Sequence, residues 1–377
     1  MKIILLLVGL LLSARAFALP PQMPAAPALA AKAYLLYDYT SGQILVERNA
    51  EARMEPASLT KLMTAYLVFD ALGHGTLQPE QNLAVPASAV RGSGESRMLL
   101  KAGQNVTVGE LLRGLIVQSG NDAAIALALH IAGSEAGFVD MMNKEAKRLG
   151  MHNTRFANPV GMADAQHYSS AHDLALLAAA ILRDYPQHYA LFGLRDYAFN
   201  GVTQANRNRL LWIDPHADGM KTGHTETADY CLIGSVERDG RRLISVLLGA
   251  PSDNLRATES QKLLNFGFRH FDAVRLYRKD QPVATARIWK GTKSHVKLGF
   301  RQDLSLTIPK GQFAQLKATM ETRQPILAPV GGGQQLGTLK LTLSGQPYAE
   351  FPLVALEETP LANVFSRGWD SIRLMFE

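Results

Sequence analysis

The sequence of 377 residues predicts an α+β protein with two domains and a C-terminal helix. In roughly the first 270 residues, strand-like runs lie near each end, and a long, mostly helical stretch lies between them. From about residue 275 to 357, short runs alternate polar and apolar residues and are separated by turn residues, which indicates a small all-β domain. After Pro360 the pattern is helical again.

Composition excludes several classes of protein. The chain is 47% hydrophobic and 19% charged, which is ordinary for a soluble globular protein and unlike a multispan membrane protein, a disordered chain or a fibre. Cys231 is the only cysteine, so a disulfide framework within the chain and a cysteine-based metal site are excluded. The net charge of +6 includes no run of four Lys or Arg residues, so we expect no nucleic-acid partner. No clustered His, Asp and Glu residues show metal-ligand spacing, so neither a metal nor an organic cofactor is predicted.

Residues 1–18 have the features of a secretory signal peptide. Lys2 precedes an apolar core from Ile3 to Leu12, and Ala16-Phe17-Ala18 is a small-x-small cleavage site. A transmembrane anchor or a buried helix is the alternative, but ten apolar residues span only about half of a bilayer core. We therefore expect the mature protein to act outside the cytoplasm.

The next domain, predicted over 19–274, opens with two strands. These strands, Tyr34–Tyr39 and Gln43–Glu47, flank a turn at residues 40–42. An amphipathic helix follows and ends at Gly73, because Leu59, Leu62, Met63, Tyr66 and Leu67 repeat at helical spacing. Further helices are predicted near 107–117, 121–132, 136–149 and 170–183. Strands near 226–237 and 242–250 join through Arg238-Asp239-Gly240, and a helix from Asn254 to His270 ends the domain.

The C-terminal part divides into an all-β domain, 275–358, and a helix, 359–377. The predicted helix has one apolar face, with Arg367, Asp370 and Arg373 elsewhere, which predicts attachment to a membrane surface. The alternative is a helix packed on its own β domain. The apolar face consists of Leu361, Val364, Phe365, Trp369, Ile372 and Phe376.

Three short motifs in the first domain carry possible chemistry. They are an S-x-x-K at Ser58–Lys61, an S-x-N at Ser119–Asn121 and a K-T-G at Lys221–Gly223. Ser58 opens a predicted helix, where residues three apart share a face, so Ser58 and Lys61 can touch. Ser58 could instead be only a helix N-cap. The K-T-G is the most specific motif, because a given tripeptide should occur only about 0.05 times by chance in a chain of this length.

Two further matches to these motifs are decoys. A second S-x-x-K, Ser294–Lys297, falls in an alternating strand, where residues three apart point to opposite faces. The S-D-N at Ser252–Asn254 lies just before a predicted helix, where capping by Ser252 explains it.

The combined motifs resemble those of penicillin-binding proteins and β-lactamases. Nearly the whole chain is similar to low-molecular-mass penicillin-binding proteins that are D-alanyl-D-alanine carboxypeptidases. The resemblance implies a catalytic domain with an antiparallel sheet flanked by helices and a helical subdomain. One departure is Val160, where members of that family often carry histidine. The stretches that carry the resemblance are PASLTKLMT at 56–64, QSGNDA at 118–123 and DGMKTGHT at 218–225.

The resemblance also implies a role for each site residue. Ser58 would be the nucleophile, Lys61 its base and Ser119 a proton relay to the leaving amine. Burial, repulsion from Lys221 and the first turn of the helix would keep Lys61 neutral. The backbone N–H groups of Ser58 and His224 would form the oxyanion hole, and Asn121 would bond Lys61 and the substrate amide. The substrate-binding residues would be Asn121, Lys221, Thr222, Gly223, His224 and Arg256.

The implied substrate is a peptidoglycan stem peptide that ends in D-Ala-D-Ala, with β-lactams as covalent inhibitors. The implied location is the periplasm, at the outer face of the inner membrane. A peptidoglycan DD-endopeptidase, a serine β-lactamase and a non-catalytic cell-wall binding protein remain alternatives. The class A lactamase is disfavoured, because no glutamate occurs between Glu145 and Glu226.

Overall fold

The computed structural model describes residues 23–91 and 96–376, so the predicted signal peptide lies outside the described residues. The described chain forms two compact units, one over 25–273 and one from Val274 onward. The α+β class is confirmed, since both units contain sheets and the first is rich in helices.

The first unit begins with a hairpin and contains the longer helices. Its elements up to residue 184 are β1 (Ala33–Asp38), β2 (Gln43–Arg48), α1 (Lys61–Gly73), β3 (Asn82–Ala84), α2 (Ala87–Arg91), β4 (Asn105–Thr107), α3 (Val108–Val117), α4 (Asn121–Ala132), α5 (Glu135–Arg148) and α6 (Ala171–Asp184). Helices α3 to α6 match the four predicted ranges within one residue at each end.

The remainder of this unit returns to the sheet. Its elements are α7 (Pro186–Tyr189), β5 (Asp196–Phe199), β6 (Val202–Ala205), α8 (Leu210–Ile213), β7 (Ala217–Thr225), β8 (Asp229–Arg238), β9 (Arg241–Ala250) and α9 (Asp253–His270). Five strands form an antiparallel sheet in the order β2-β1-β9-β8-β7. Both predicted hairpins are confirmed; in the second, Asp239 and Gly240 adopt φ of 50° and 75°, as a two-residue type I′ turn requires.

The sheet is covered on both faces. Helix α9 contributes Leu263, Leu264 and Phe266 to one buried cluster with strand residues such as Leu232 and Leu247. A larger cluster combines other strand residues with side chains from α1, α3, α4 and α6. Apolar packing therefore joins the helices to both faces of the sheet.

Two predictions for this unit need correction. Helix α1 is not amphipathic: ten of its 13 residues are buried, because the larger cluster surrounds it. The K-T-G, which the predicted strand near 226–237 did not include, lies within β7 at the edge of the sheet. Its polar and small residues hide the strand pattern, but the backbone pairs with β8 from Ala217 to Thr225.

The second unit is mostly β-structure. Its elements, starting at the strand that contains the boundary between the units, are β10 (Phe271–Tyr277), β11 (Ala284–Trp289), β12 (His295–Gly299), β13 (Leu304–Pro309), β14 (Leu316–Thr322), β15 (Ile326–Leu327), β16 (Gln335–Leu343), β17 (Gln346–Ala355) and α10 (Val364–Arg373). A six-stranded sheet has the order β14-β16-β17-β12-β11-β15, and β10 pairs with β13. Two apolar clusters form the interior.

The C-terminal helix is shorter than predicted. It covers Val364–Arg373, so Leu361 and Phe376 lie outside it. Leu361 instead forms an isolated bridge with Gly291. Within the described residues, no single helix is long and apolar enough to cross a membrane, although α4 and α5 together pass that test by length and composition as a pair bent by 86°.

Candidate active site

Ser58 lies in a tight turn immediately before α1. The turn, Ala57–Thr60, is a 3-10 helix, and Lys61 is the first residue of α1. The Nζ of Lys61 lies 2.9 Å from the Oγ of Ser58, so the contact predicted from the spacing is present. Neither the turn nor α1 begins with a side-chain cap, so a capping role does not explain Ser58.

Lys61 is buried completely and has little to balance a positive charge. Its Nζ also donates to the carbonyl oxygen of Val160 at 2.7 Å. The pKa of Lys61 is lowered to about 7, chiefly by burial and also by the positive charge of Arg207, while Asp122 opposes both. A substantial fraction of Lys61 is therefore neutral near pH 7, and its lone pair can accept the Ser58 proton.

Repulsion between cations at the site has two sources. The predicted repulsion between Lys61 and Lys221 is present: burial holds the pKa of the buried Lys221 well below its usual value, and the charges of Lys61 and Arg207 lower it further. Arg207, which the sequence did not suggest, lowers the pKa of both lysines.

The S-x-N and K-T-G motifs are in contact through Lys221. Ser119 lies between α3 and α4 with φ of 58°, and its Oγ accepts a hydrogen bond of 2.9 Å from Lys221 Nζ. Asn121, the first residue of α4, lines the same cleft. The bond predicted between Asn121 and Lys61 stays a prediction.

Close backbone packing holds the nucleophile turn. A Cβ at Gly223 would lie 2.9 Å from the oxygen of Pro56 and 3.2 Å from the nitrogen of Ser58. On another side of the turn, a Cβ at Gly161 would lie 1.8 Å from the oxygen of Ala57. Both positions require glycine, because any side chain would push the turn away.

The cleft above Ser58 has a volume of about 290 Å³. Of the predicted site residues, Lys61 and Lys221 are not among those lining it and are buried. Its lining consists of Ser58, Ser96, Ser119, Asn121, Val160, Gly161, Met162, Arg207, Thr222, Gly223, His224, Thr225 and Arg256.

Two arginines reach this cleft. Arg256 is buried rather than solvated, donates to the oxygen of Gly223 at 3.0 Å and pairs with Asp253. Arg207, which the sequence analysis missed, is exposed. The buried side chains of Asn206 and Asn208 hold its loop: they donate to the oxygens of Leu194 and Gly219 and accept from the N–H groups of Asn208 and Leu210. No local pattern marks Arg207, because only the fold brings this loop to the cleft.

Outside the cleft, three side chains that could ligate a metal lie close together, which the sequence did not predict. Possible ligand atoms of Glu51, His172 and Asp173 lie within 4.8 Å of one another. The carboxylates accept hydrogen bonds from Asn153 and Thr154, and His172 Nδ1 lies 3.5 Å from each. The hydrogen bonds from Asn153 and Thr154 and the adjacent imidazole account for the cluster without a metal.

The fold and the site define an active-site-serine enzyme of the class that includes penicillin-binding proteins and serine β-lactamases. Residues 21–252 match the family described as D-alanyl-D-alanine carboxypeptidase, peptidase S11. Residues 271–360 match the C-terminal domain of penicillin-binding protein 5. The chain belongs to the D-alanyl-D-alanine carboxypeptidase family.

Individual relatives agree with this assignment. The chain is 42% identical to the D-alanyl-D-alanine carboxypeptidase DacC of Escherichia coli over 93% of this chain and 90% of that protein. Penicillin-binding protein 5 of Haemophilus influenzae superposes with a TM-score of 0.86 at 39% identity, over 89% and 99% of the two chains. Penicillin-binding protein D2 of Listeria monocytogenes in its ampicillin-bound form has a TM-score of 0.57 at 32% identity, over 65% and 100%.

Proposed function

We propose that this protein is a serine-type D-Ala-D-Ala carboxypeptidase that removes the terminal D-alanine from peptidoglycan pentapeptides through an acyl-enzyme on Ser58. The observation that carries the proposal is the pairing of Ser58 with a completely buried lysine whose pKa is lowered to about 7. Such a lysine can serve as the base that a serine hydroxyl requires.

In the acylation step, neutral Lys61 takes the Ser58 proton while Oγ attacks the carbonyl carbon of the penultimate D-alanine. The N–H groups of Ser58 and His224 stabilise the oxyanion, and one such donor is worth about 2.7–4 kcal/mol. The C–N bond then breaks, the leaving amine receives a proton through Ser119, and D-alanine departs. The 2.9 Å contact between Lys221 and Ser119 orients this hydroxyl.

In the deacylation step, a water attacks the ester carbonyl and gives its proton to Lys61. The ester bond breaks, and Ser58 Oγ recovers a proton. Penicillin enters the same path because its β-lactam carbonyl is attacked by the same Oγ. Its bulky leaving group stays attached, so the adduct persists.

The substrate ends in a free carboxylate, and the cleft offers cations to bind it. We assign this role to Arg256 and Arg207, with the Thr222 hydroxyl as a further hydrogen-bond donor. Arg256 and Thr222 line the cleft and are held in place, whereas Arg207 is exposed to the same space. A charge-assisted bond from arginine to carboxylate is strong and directional.

The test is mass spectrometry after incubation with penicillin, together with an assay for D-alanine release from a pentapeptide. We expect one adduct, located on Ser58 by digestion, and release of D-alanine. Ser58→Ala should lose both, whereas the control variants Ser252→Ala and Ser294→Ala should keep both. An adduct at another serine would refute the assignment, and an adduct without D-alanine release would favour an endopeptidase or a binding protein.

We also propose that the protein is exported to the periplasm and attached through α10 to the outer face of the inner membrane. The apolar side chains of α10 are mostly exposed: Phe365 is 90% and Trp369 59% accessible. Asp370 accepts the backbone N–H of Lys290 at 2.6 Å, so a polar side of the helix contacts its own β domain. Packing on that domain therefore leaves the apolar side open, as a membrane-surface helix requires.

Fractionation of cells tests the attachment. Deletion of residues 359–377 should move the protein from the membrane fraction to the soluble fraction. Phe365→Ser with Trp369→Ser should do the same, whereas Phe313→Ser, at a side chain 52% exposed elsewhere in the same unit, should not. A deletion variant that still pellets with membranes would refute the proposal.

A further inference from the structure

A buried histidine outside the three motifs contacts the nucleophile turn. His167 is 3% exposed and lies 107 residues after Thr60 in the chain. Its Nε2 lies 2.8 Å from the Oγ1 of Thr60, the residue between Leu59 and Lys61. The cleft lining does not include His167, so it can affect the reaction only through other residues.

The hydrogen bonds define the protonation of the ring. The backbone N–H of Ala157 donates to Nδ1 at 3.1 Å, so Nδ1 must carry a lone pair. The proton of the neutral ring is then on Nε2, which donates to Thr60 Oγ1. Burial lowers the pKa of His167 to about 4, against the opposing charges of Asp164 and Glu55, so the ring is neutral at working pH.

The turn that His167 contacts is under backbone strain. Ala57, directly before Ser58, has φ of 45°, a conformation that costs a non-glycine residue energy and persists only when its surroundings hold it. The segment just before His167 contacts the start of α1, where Lys61 lies. The oxygen of Val160 binds Lys61 Nζ, and the oxygen of Pro159 binds Thr64 Oγ1 at 2.6 Å.

We propose that His167 is a positioning residue that, through Thr60, holds the Ser58 turn in the geometry in which Ser58 Oγ faces Lys61. A single side chain thereby connects the loop that binds Lys61 with the turn that carries the nucleophile. This proposal rests on the proposed role of Ser58. Its consequence is kinetic, because misplacement of reacting groups by about 1 Å can cost about 100-fold in rate.

The test compares two substitutions in the full chain. His167→Leu removes both hydrogen-bonding atoms, whereas His167→Gln keeps one donor and one acceptor. We expect His167→Leu to lower the second-order rate of acylation by a fluorescent penicillin about 10–100-fold, and kcat for D-alanine release similarly, with KM changed less than about 3-fold. His167→Gln should retain a rate within about 5-fold of wild type.

A purely structural role would lower the melting temperature and the fraction of protein acylated at completion without slowing acylation of the folded molecules. The control His130→Leu removes a histidine that binds the oxygen of Ala84 away from the cleft, and its acylation rate should be unchanged. Folded His167→Leu that acylates at the wild-type rate would overturn the proposal.

Substitutions of Thr60 provide a second test, which remains valid even if the His167 variants do not fold. Thr60→Val should slow acylation as His167→Leu does, Thr60→Ser should not, and the double variant should be no slower than the slower single variant, because the two residues act as one unit. Additive losses, or a Thr60→Val variant at wild-type rate, would overturn the proposal. If wild type were acylated at Ser58 but released no D-alanine, the proposed function would fail while these acylation rates would still decide the role of His167.

Discussion

The pKa of Lys61 makes a quantitative prediction about the pH dependence of acylation. With a pKa of about 7, the neutral fraction of Lys61 is about 0.9 at pH 8 and about 0.01 at pH 5. If neutral Lys61 is the base, the second-order rate of acylation by penicillin should fall about 90-fold between these pH values. The fall should approach tenfold per pH unit below the midpoint.

A substitution separates this cause from general acid sensitivity. Arg207→Gln removes the positive charge that lowers the pKa of Lys61, so the pKa should rise and the midpoint should move to higher pH. A weaker hold on the penicillin carboxylate would lower the whole profile but would not move its midpoint. Arg209→Gln is the matched control, because Arg209 contacts Asn254 and Asp253 and does not line the cleft.

The assay is stopped-flow acylation from pH 4.5 to 9 with wild type and both variants. Thermal melts at each pH show that the protein remains folded over the range. A rate that is flat between pH 5 and 8, or a midpoint that moves downward in Arg207→Gln, would refute the assignment of Lys61 as the base.

Further predictions follow from other contacts. Arg256→Ala should lower kcat/KM about 10–150-fold for a peptide with a free D-Ala-D-Ala end, corresponding to about 1.5–3 kcal/mol, and much less for the amidated peptide; equal losses in a two-substrate, two-enzyme comparison would remove Arg256 from the carboxylate site. Gly223→Ala should abolish penicillin labelling, because its Cβ would lie 2.9 Å from the oxygen of Pro56, whereas Gly240→Ala in the distant hairpin should be labelled normally. The stability that comes from neutral His167 should be complete above about pH 6.5 and should decline toward pH 4, because burial lowers the folded pKa to about 4 and the unfolded chain takes up the proton first. The loss should reach about 3 kcal/mol relative to His167→Gln, measured by urea unfolding across this pH range, and a constant difference between the two proteins would contradict the buried neutral ring.

The elements that the sequence predicted correctly depend on neighbouring residues alone. The β8–β9 hairpin follows from Asp239-Gly240, whose backbone preference is local. Ser252 caps α9 by accepting from the N–H of Leu255 at 3.2 Å, as its position before the helix predicted. The contact of Ser58 with Lys61 also needed only the three-residue spacing and a helical turn.

The predictions that failed required knowledge of distant packing. Strand β7 carries polar and small side chains because part of it lines the cleft. Its sequence therefore lacks the alternation of polar and apolar residues by which a strand is predicted. The C-terminal helix was predicted to be longer than it is. Leu361 lies before it, because its backbone pairs with that of Gly291, 70 residues earlier. Helix α1 appeared amphipathic because a sequence does not show how many elements surround a helix.

The sequence by itself determined the hairpins, most helix boundaries and the residue types that can perform serine acyl transfer, because turns, caps and short spacings are decided within a few residues. Only the tertiary structure decided which groups meet. It joined Ser119 to Lys221 across 102 residues and Lys61 to Val160 across 99. It also removed Lys61 from water, and since a pKa reflects lost hydration and nearby charge, the chemistry of that amine depends on the folded surroundings.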